Sequence, residues 1–443
     1  MPTVKAQPFI VGYREVMRQM DFEANQLEFM PETLAAYRRK NDKVVNYLVK
    51  EFELKRNAQQ LARAKTSKSG EIDVKKLHSY RYNEDLFRRL TTVPNGKNHG
   101  LIMFYDMSGS MSGQMGQTLE QMIVLVEFCR KVNIPFEVYG FSNNDHANPR
   151  YYQDLHVRQP RVQGEMHVDD AVFHLRQYFS DSMRPQEYKQ QLNNLLLLAR
   201  IWKARSSRYS ERTDSINYRH IPTYEGLNGT PLNQSILLSI DIYNRFVERT
   251  KAEVVNMAFL TDGDADGGIR YSTQYGHDAD NVPIMRTIHV RESNKVNLIL
   301  THKETRKSVR VAADDVRHTN SLVRLVRDVT GANVVCFDIV ASQGRRTIGH
   351  KMFKGYRSWS PEQMEQVEVA YKKFRRDRIF VLESLGFSEY YLIPGGNDLD
   401  IDDDGMQVED GADKRKLFKA FADMQNNKTT SRVLLNRFIG MIA

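Results

Sequence analysis

Short apolar runs alternating with helix-length amphipathic stretches constrain this chain most. Gly100–Tyr105, Ile134–Phe141, Val254–Leu260 and Asn333–Val340 each read as a buried strand bounded by turn residues. Gln117–Val132, Leu232–Phe246 and Asn320–Val329 carry apolar residues at helical spacing between them. Such alternation predicts an α/β fold, a mostly parallel sheet flanked by helices on both faces. Two insertions interrupt the pattern, at 142–228 and 270–312. The first holds a helical stretch over Tyr188–Ala204. The second holds a hairpin pairing 296–300 with 308–312.

The flanks differ. Residues 1–96 lack the β-branched density of a sheet and read as a helical N-terminal arm. Pro31–Ala64 forms one amphipathic helix or a helical pair, with Leu34, Tyr37, Val44, Val45, Leu48, Phe52 and Leu54 on its apolar side. Lys65–Gly70 reads as a turn-like basic segment and Leu77–Leu90 as a short helical or mixed piece. The expected units are therefore 1–96, a central domain over 97–350, and an extension over 351–443. That extension comprises a charged helix over 361–384, a short strand over 388–394, an acidic loop over 396–413 and a helical tail.

Composition bounds the partners. Of the 443 residues, 41% are hydrophobic, enough for a core. The formal charge of +9 is modest with both signs mixed, so a solvated surface is the plain reading and nucleic acid is not an expected partner. Cys129 and Cys336 sit in apolar runs and read as core residues in a reducing compartment. The first residues lack the apolar stretch of a signal peptide, and no run is long enough to span a membrane. The cytoplasm is the expected location.

The chemistry gathers at strand ends. The strand ending at Tyr105 runs into Asp106-Met-Ser108-Gly-Ser110, one carboxylate and two hydroxyls at single-residue spacing. Open parallel sheets bind ligands outside the carboxyl ends of their strands. Thr230 opens a second element in Gly229-Thr-Pro-Leu, and Asp262 follows a third strand in Leu260-Thr-Asp-Gly. Asp106, Ser108, Ser110, Thr230 and Asp262 are all hard oxygen donors. They suit Mg²⁺, with Mn²⁺ or Ca²⁺ as the other candidates, and Asp262 would act through water. Asp264 and Asp266 either tune that charge or solvate a loop.

Together these fragments resemble the metal-ion-dependent adhesion site (MIDAS) of von Willebrand factor A (VWA) domains, which implies a VWA-like, Rossmann-like sheet. In that family the Asp, Ser and Thr residues hold the metal, and a partner's carboxylate often completes its shell. Leu77-His-Ser-Tyr-Arg-Tyr-Asn83, Gly96-Lys-Asn-His-Gly100, Lys65–Gly70 and Ser431–Phe438 add a closer likeness to the cobaltochelatase T subunit, CobT. That resemblance implies a non-catalytic subunit partnering an AAA+ ATPase of the CobS/MoxR-like kind to remodel a third, target protein. The basic arm and the 142–228 insertion would add partner contacts. CobT proteins usually carry an N-terminal domain and a long acidic middle region, neither of which is expected from this sequence. Shortened relatives occur in phage genomes. A structural or adhesion protein, such as a virion component, is the alternative reading, and a chelatase subunit of cobalamin biosynthesis a second one.

Other chemistry finds little support. The chain has no phosphate-binding loop and no His-Glu-x-x-His. His167 and His174 would share a helix face only if that segment were helical; the plain reading is ordinary histidines. Tyr390 and Tyr391 read as packing aromatics, and Asp398–Asp404 as an acidic loop without calcium-loop order.

Overall fold

The computed structural model describes residues 6–63, 65–72, 87–92, 98–144, 166–167, 173–206, 216–263, 265, 270–277, 281–289, 298–311, 315–341, 344–353, 359–383 and 386–395. The strands are β1 (Ile10–Val11), β2 (Lys65–Ile72), β3 (Phe87–Thr92), β4 (His99–Asp106), β5 (Phe136–Ser142), β6 (Met166–His167), β7 (His174–Ser180), β8 (Val254–Thr261), β9 (Arg270–His277), β10 (Pro283–His289), β11 (Leu298–Thr301), β12 (Ser308–Val311), β13 (Asn333–Val340), β14 (Phe380–Leu382) and β15 (Glu389–Pro394). The helices are α1 (Tyr13–Arg18), α2 (Ala24–Glu28), α3 (Met30–Arg63), α4 (Met115–Lys131), α5 (Pro185–Ser206), α6 (Leu232–Thr250), α7 (Asp315–Thr330), α8 (Arg345–Met352) and α9 (Pro361–Asp377).

The main sheet has the order β1-β7-β5-β4-β8-β13-β15-β14. The five strands β5, β4, β8, β13 and β15 run parallel, whereas β7 is antiparallel to β5 and β14 to β15. This is an α/β, Rossmann-like, mostly parallel sheet flanked by helices. Starting at β4, the chain first adds β5 and β7 to one side and then β8, β13 and β15 to the other. The order therefore reverses at β4, which is where such sheets bind ligands.

Strand alternation explains the two cores. In β4, Leu101, Met103 and Tyr105 face one side and meet residues of α3, α4 and α5, including Val45, Ile123 and Leu195. Ile102 and Phe104 face the other side and meet α6 and α7 residues such as Ile236, Phe246 and Val323. Phe104 stacks between Phe259 and Tyr139, at centroid distances of 4.6 and 5.8 Å. With both faces covered, every residue of β4 after His99 is buried, which is why the strand reads as one apolar run. Cys129 and Cys336 are in no disulfide and are buried in these cores.

Several expectations change. The stretch expected over 31–64 is, as far as it is described, one helix, α3, but Leu54 is 62% exposed and off its apolar side. The N-terminal region is not wholly helical: β1 joins the main sheet beside β7, and β2 pairs antiparallel with β3. Lys65–Ile72 is nearly all polar and carries no periodic signal, so its pairing is set by backbone hydrogen bonds. The hairpin expected over 296–312 forms as β11–β12, while β10-β9-β6 is a second small sheet whose central strand is mostly polar. His167 lies in β6 and His174 in β7, so they share no helix face. Tyr391 stacks on Phe337 as a packing aromatic. Asp264, Asp266, Asp398–Asp404 and the expected helical tail lie outside the described residues.

At the far edge α8 and α9 pack over β15 through Ile348, Ala370, Phe374 and Leu392. Ser360 starts α9 with a capping box: its Oγ accepts from Gln363 N–H at 3.2 Å, and its own N–H donates to Gln363 Oε1 at 2.9 Å. Ser360→Ala is expected to lower stability by about 1 kcal/mol in urea denaturation. An unchanged midpoint would show that α9 is held by its packing alone.

Candidate metal centre

The apolar core of β4 carries its last residue, Asp106, to the carboxyl edge of the sheet, where its side chain is fully buried. Asp106 Oδ1 accepts the Ser108 N–H at 2.9 Å, folding the chain back into a 3₁₀ turn over Gly109–Gly113. That turn aligns the two serines, with Ser108 Oγ and Ser110 Oγ 3.0 Å apart. Ser110 Oγ donates to Asp262 Oδ1 at 2.7 Å across the sheet top. Asp262 directly follows β8, the parallel neighbour of β4. Four of the five expected residues thus form one hydrogen-bonded string, buried at Asp106 and Ser108 and open to solvent at Ser110.

Thr230 arrives on a separate loop. Asn228 forms a parallel bridge with Ser108: its N–H donates to Met107 O at 3.2 Å and its carbonyl accepts from Gly109 N–H at 2.6 Å. Thr230 follows two residues later, buried, just ahead of α6. The five residues come from three separate chain segments that meet at the carboxyl ends of β4 and β8.

Several contributors carry no local sequence signal. Thr261 Oγ1 donates to Asp106 Oδ2 at 2.5 Å. Gln114 Nε2 donates to Asp262 Oδ2 at 2.9 Å, while its buried Oε1 finds no hydrogen-bond partner among the described residues. Lys351 Nζ, on α8, donates to the Asp262 carbonyl at 3.0 Å and to buried Asp338 at 2.7 Å. Tyr390 donates to the other oxygen of Asp338 at 2.7 Å. Thr261 alone is partly marked, as the last residue of β8 directly before Asp262.

The electrostatics fit a cation. Burial pushes the Asp106 carboxyl up to about 7; hydrogen bonds from Thr261 and Ser108 oppose this, and the neighbouring Asp262 adds to it. Burial also raises Asp262, against the pull of Ser110 and Lys351. Among the described residues, Asp106 has only neutral hydrogen-bond partners and no ion pair. An unpaired buried carboxylate facing a second carboxylate is costly, and a divalent cation would relieve both penalties. Two carboxylates with three hydroxyls form a hard, all-oxygen set that suits Mg²⁺. Among the described residues no group of three or more His, Cys, Asp or Glu could hold a metal ion, so any cation here would rest on the hydroxyls beside the two carboxylates.

No family model matches the chain, and no characterised protein matches it in sequence. Among solved structures it is similar to the pilus adhesin SpaC from Lactobacillus rhamnosus GG in its open conformation. That match has 12% identity and a TM-score of 0.32, covering 78% of this chain and 31% of the adhesin. A second form of SpaC matches at 13% identity and a TM-score of 0.29, over 64% of this chain and 30% of that one. The vWF domain of the type V pili tip protein Mfa5 from Porphyromonas gingivalis matches at 7% identity and a TM-score of 0.27, over 69% of this chain and 92% of that one. The chain thus spans about a third of SpaC's length. At these scores the likenesses carry no argument, and the fold rests on the strand order. No described helix is long and apolar enough to cross a membrane.

Proposed function

We propose that this chain is a cation-dependent protein-binding module of the VWA kind. Asp106, Ser108, Ser110, Thr230 and Asp262 hold Mg²⁺ at the carboxyl edge of the sheet. The cation is the docking point for an acidic group of a partner protein. The observation that supports this reading best is the buried Asp106, hydrogen-bonded only to neutral groups, one string of hydrogen bonds away from Asp262. Mg²⁺ keeps exchangeable ligand positions, so an incoming oxygen can bind without dismantling the site.

Two partner classes follow from that chemistry. The sequence likeness to CobT supports an adaptor that couples a CobS/MoxR-like AAA+ ATPase to a target protein. A structural or adhesion role uses the same site for a different protein surface. Capture with immobilised chain, in Mg²⁺ and in excess EDTA, separates them when Asp106→Ala serves as control. Mg²⁺-dependent recovery of an AAA+ ATPase supports the adaptor; recovery of a particle or surface protein supports adhesion. Equal recovery by Asp106→Ala overturns docking through the metal.

Gln114→Met tests the orientation of Asp262. The change keeps the side chain's length and removes the amide that donates to Asp262 Oδ2. Mg²⁺ affinity is expected to fall about tenfold, the usual result of losing a group that orients a ligand. Calorimetric titration giving an unchanged Kd would show that Ser110 alone sets the Asp262 carboxylate.

A further inference from the structure

Arg176 of β7 and Glu225 form an ion pair with both side chains fully buried. Arg176 Nε and one terminal nitrogen donate to Glu225 Oε1 at 3.1 and 2.6 Å, and Tyr178 Oη donates to Oε2 at 2.5 Å. The other terminal nitrogen donates to Gln19 Oε1 at 2.7 Å, just past α1. Removing two charges from water seldom stabilises a fold on balance; where such pairs occur, a role in specifying one arrangement is a hypothesis to test.

Here the arrangement specified is a loop. Glu225 ends a 3₁₀ turn, and each residue that follows, apart from Leu227, is tied down through its backbone. Asn144 Nδ2 donates to the Gly226 carbonyl at 2.9 Å, Asn228 bridges Met107 and Gly109, and Gly229 N–H donates to Asn143 Oδ1 at 2.7 Å. Thr230 comes next. The Tyr178 hydroxyl that holds Glu225 also lies 2.8 Å from Met107 Sδ, between Asp106 and Ser108. Loop and serine turn therefore hang from one phenol. There is no slack behind it: a Cβ on Gly140 would lie 2.5 Å from the Tyr178 ring and 2.8 Å from Met107 Sδ.

We propose that Glu225, held by Arg176 and Tyr178, is a positioning residue of the candidate metal centre, setting the loop that presents Thr230 to the cation and tying it through Gln19 to the N-terminal helix. This rests on the metal-centre reading above. Mg²⁺ and Mn²⁺ take ordered oxygen shells, and Mg²⁺ in particular demands near-octahedral geometry, so a displaced hydroxyl is felt as lost affinity.

The test is a double-mutant cycle in the full chain with Mn²⁺ as probe, read by calorimetry and by electron paramagnetic resonance well below each variant's unfolding temperature. Glu225→Gln and Tyr178→Phe are each made alone and on Thr230→Ala. Glu225→Gln is expected to raise the Mn²⁺ Kd about tenfold and Tyr178→Phe a few-fold. Neither should weaken binding further once the Thr230 hydroxyl is gone. A merely structural role would lower thermal stability and leave the cycle additive. Wild-type Kd values in both single variants, or additive effects on Thr230→Ala, overturn the inference while the metal reading stands. A wild-type chain that binds no Mn²⁺ overturns both. Should Glu225→Gln not fold, Tyr178→Phe, which keeps the ion pair, decides the question.

Discussion

Asp106→Asn is expected to abolish Mg²⁺-dependent stabilisation while leaving the metal-free fold as stable as the wild type or more so. The carboxylate is fully buried, and without a cation its charge is a burden on the folded state, which is why burial pushes its carboxyl up to about 7. Asparagine keeps the shape and an oxygen to accept from Ser108 or Thr261, and removes the charge. A cation that binds only the native state stabilises it by about 2.7 kcal/mol at ~100 times its Kd. Wild type should therefore melt higher in excess Mg²⁺ than in EDTA, and Asp106→Asn should melt at one temperature in both, with affinity down by more than about 100-fold. Scanning calorimetry with and without EDTA reads both effects. A variant that still gained stability from Mg²⁺ would move the cation away from Asp106. A large loss of stability in EDTA would mean that the carboxylate is structural.

The sheet and the meeting of Asp106, Ser108, Ser110 and Asp262 at its edge were legible because each depends on local chemistry. A strand buried on both faces must be a continuous apolar run, and the position just past it must lie at the sheet's carboxyl edge. Asp106 and Asp262 could be placed by that reasoning alone, and Ser108 and Ser110 by their spacing from Asp106. Thr230 came from a plausible helix start, and the structure adds the bridge between Asn228 and Ser108 that brings its loop to the site. What stayed hidden depends on contacts between distant segments. Gln114 and Asp262 are 148 residues apart, and Arg176 and Glu225 are 49 apart. A glutamine at a helix start or an arginine in a strand carries no mark of such a partner. The β2–β3 and β9–β10 hairpins were hidden differently, since strands like Lys65–Ile72 and Arg270–His277 are mostly polar and held by backbone pairing that leaves little trace in hydrophobic period.

The other large effect belongs to the buried pair. Arg176→Met leaves Glu225 fully enclosed with its cation gone and only Tyr178 donating to it. Breaking a buried pair on one side is expected to cost about 3–5 kcal/mol in urea denaturation, a large fraction of a typical domain's stability. Replacing both members, Arg176→Met with Glu225→Leu, should recover much of that loss, because no uncompensated charge remains and the two side chains can pack. Recovery of stability should bring no recovery of Mn²⁺ affinity, since the carboxylate that anchors the Thr230 loop is still missing. The two readouts then part company in one protein. A single variant as stable as the wild type would show that water reaches Glu225 and that the pair is not truly buried. A double variant that regained metal affinity along with stability would show that packing at this point, and no particular carboxylate, is what the loop requires.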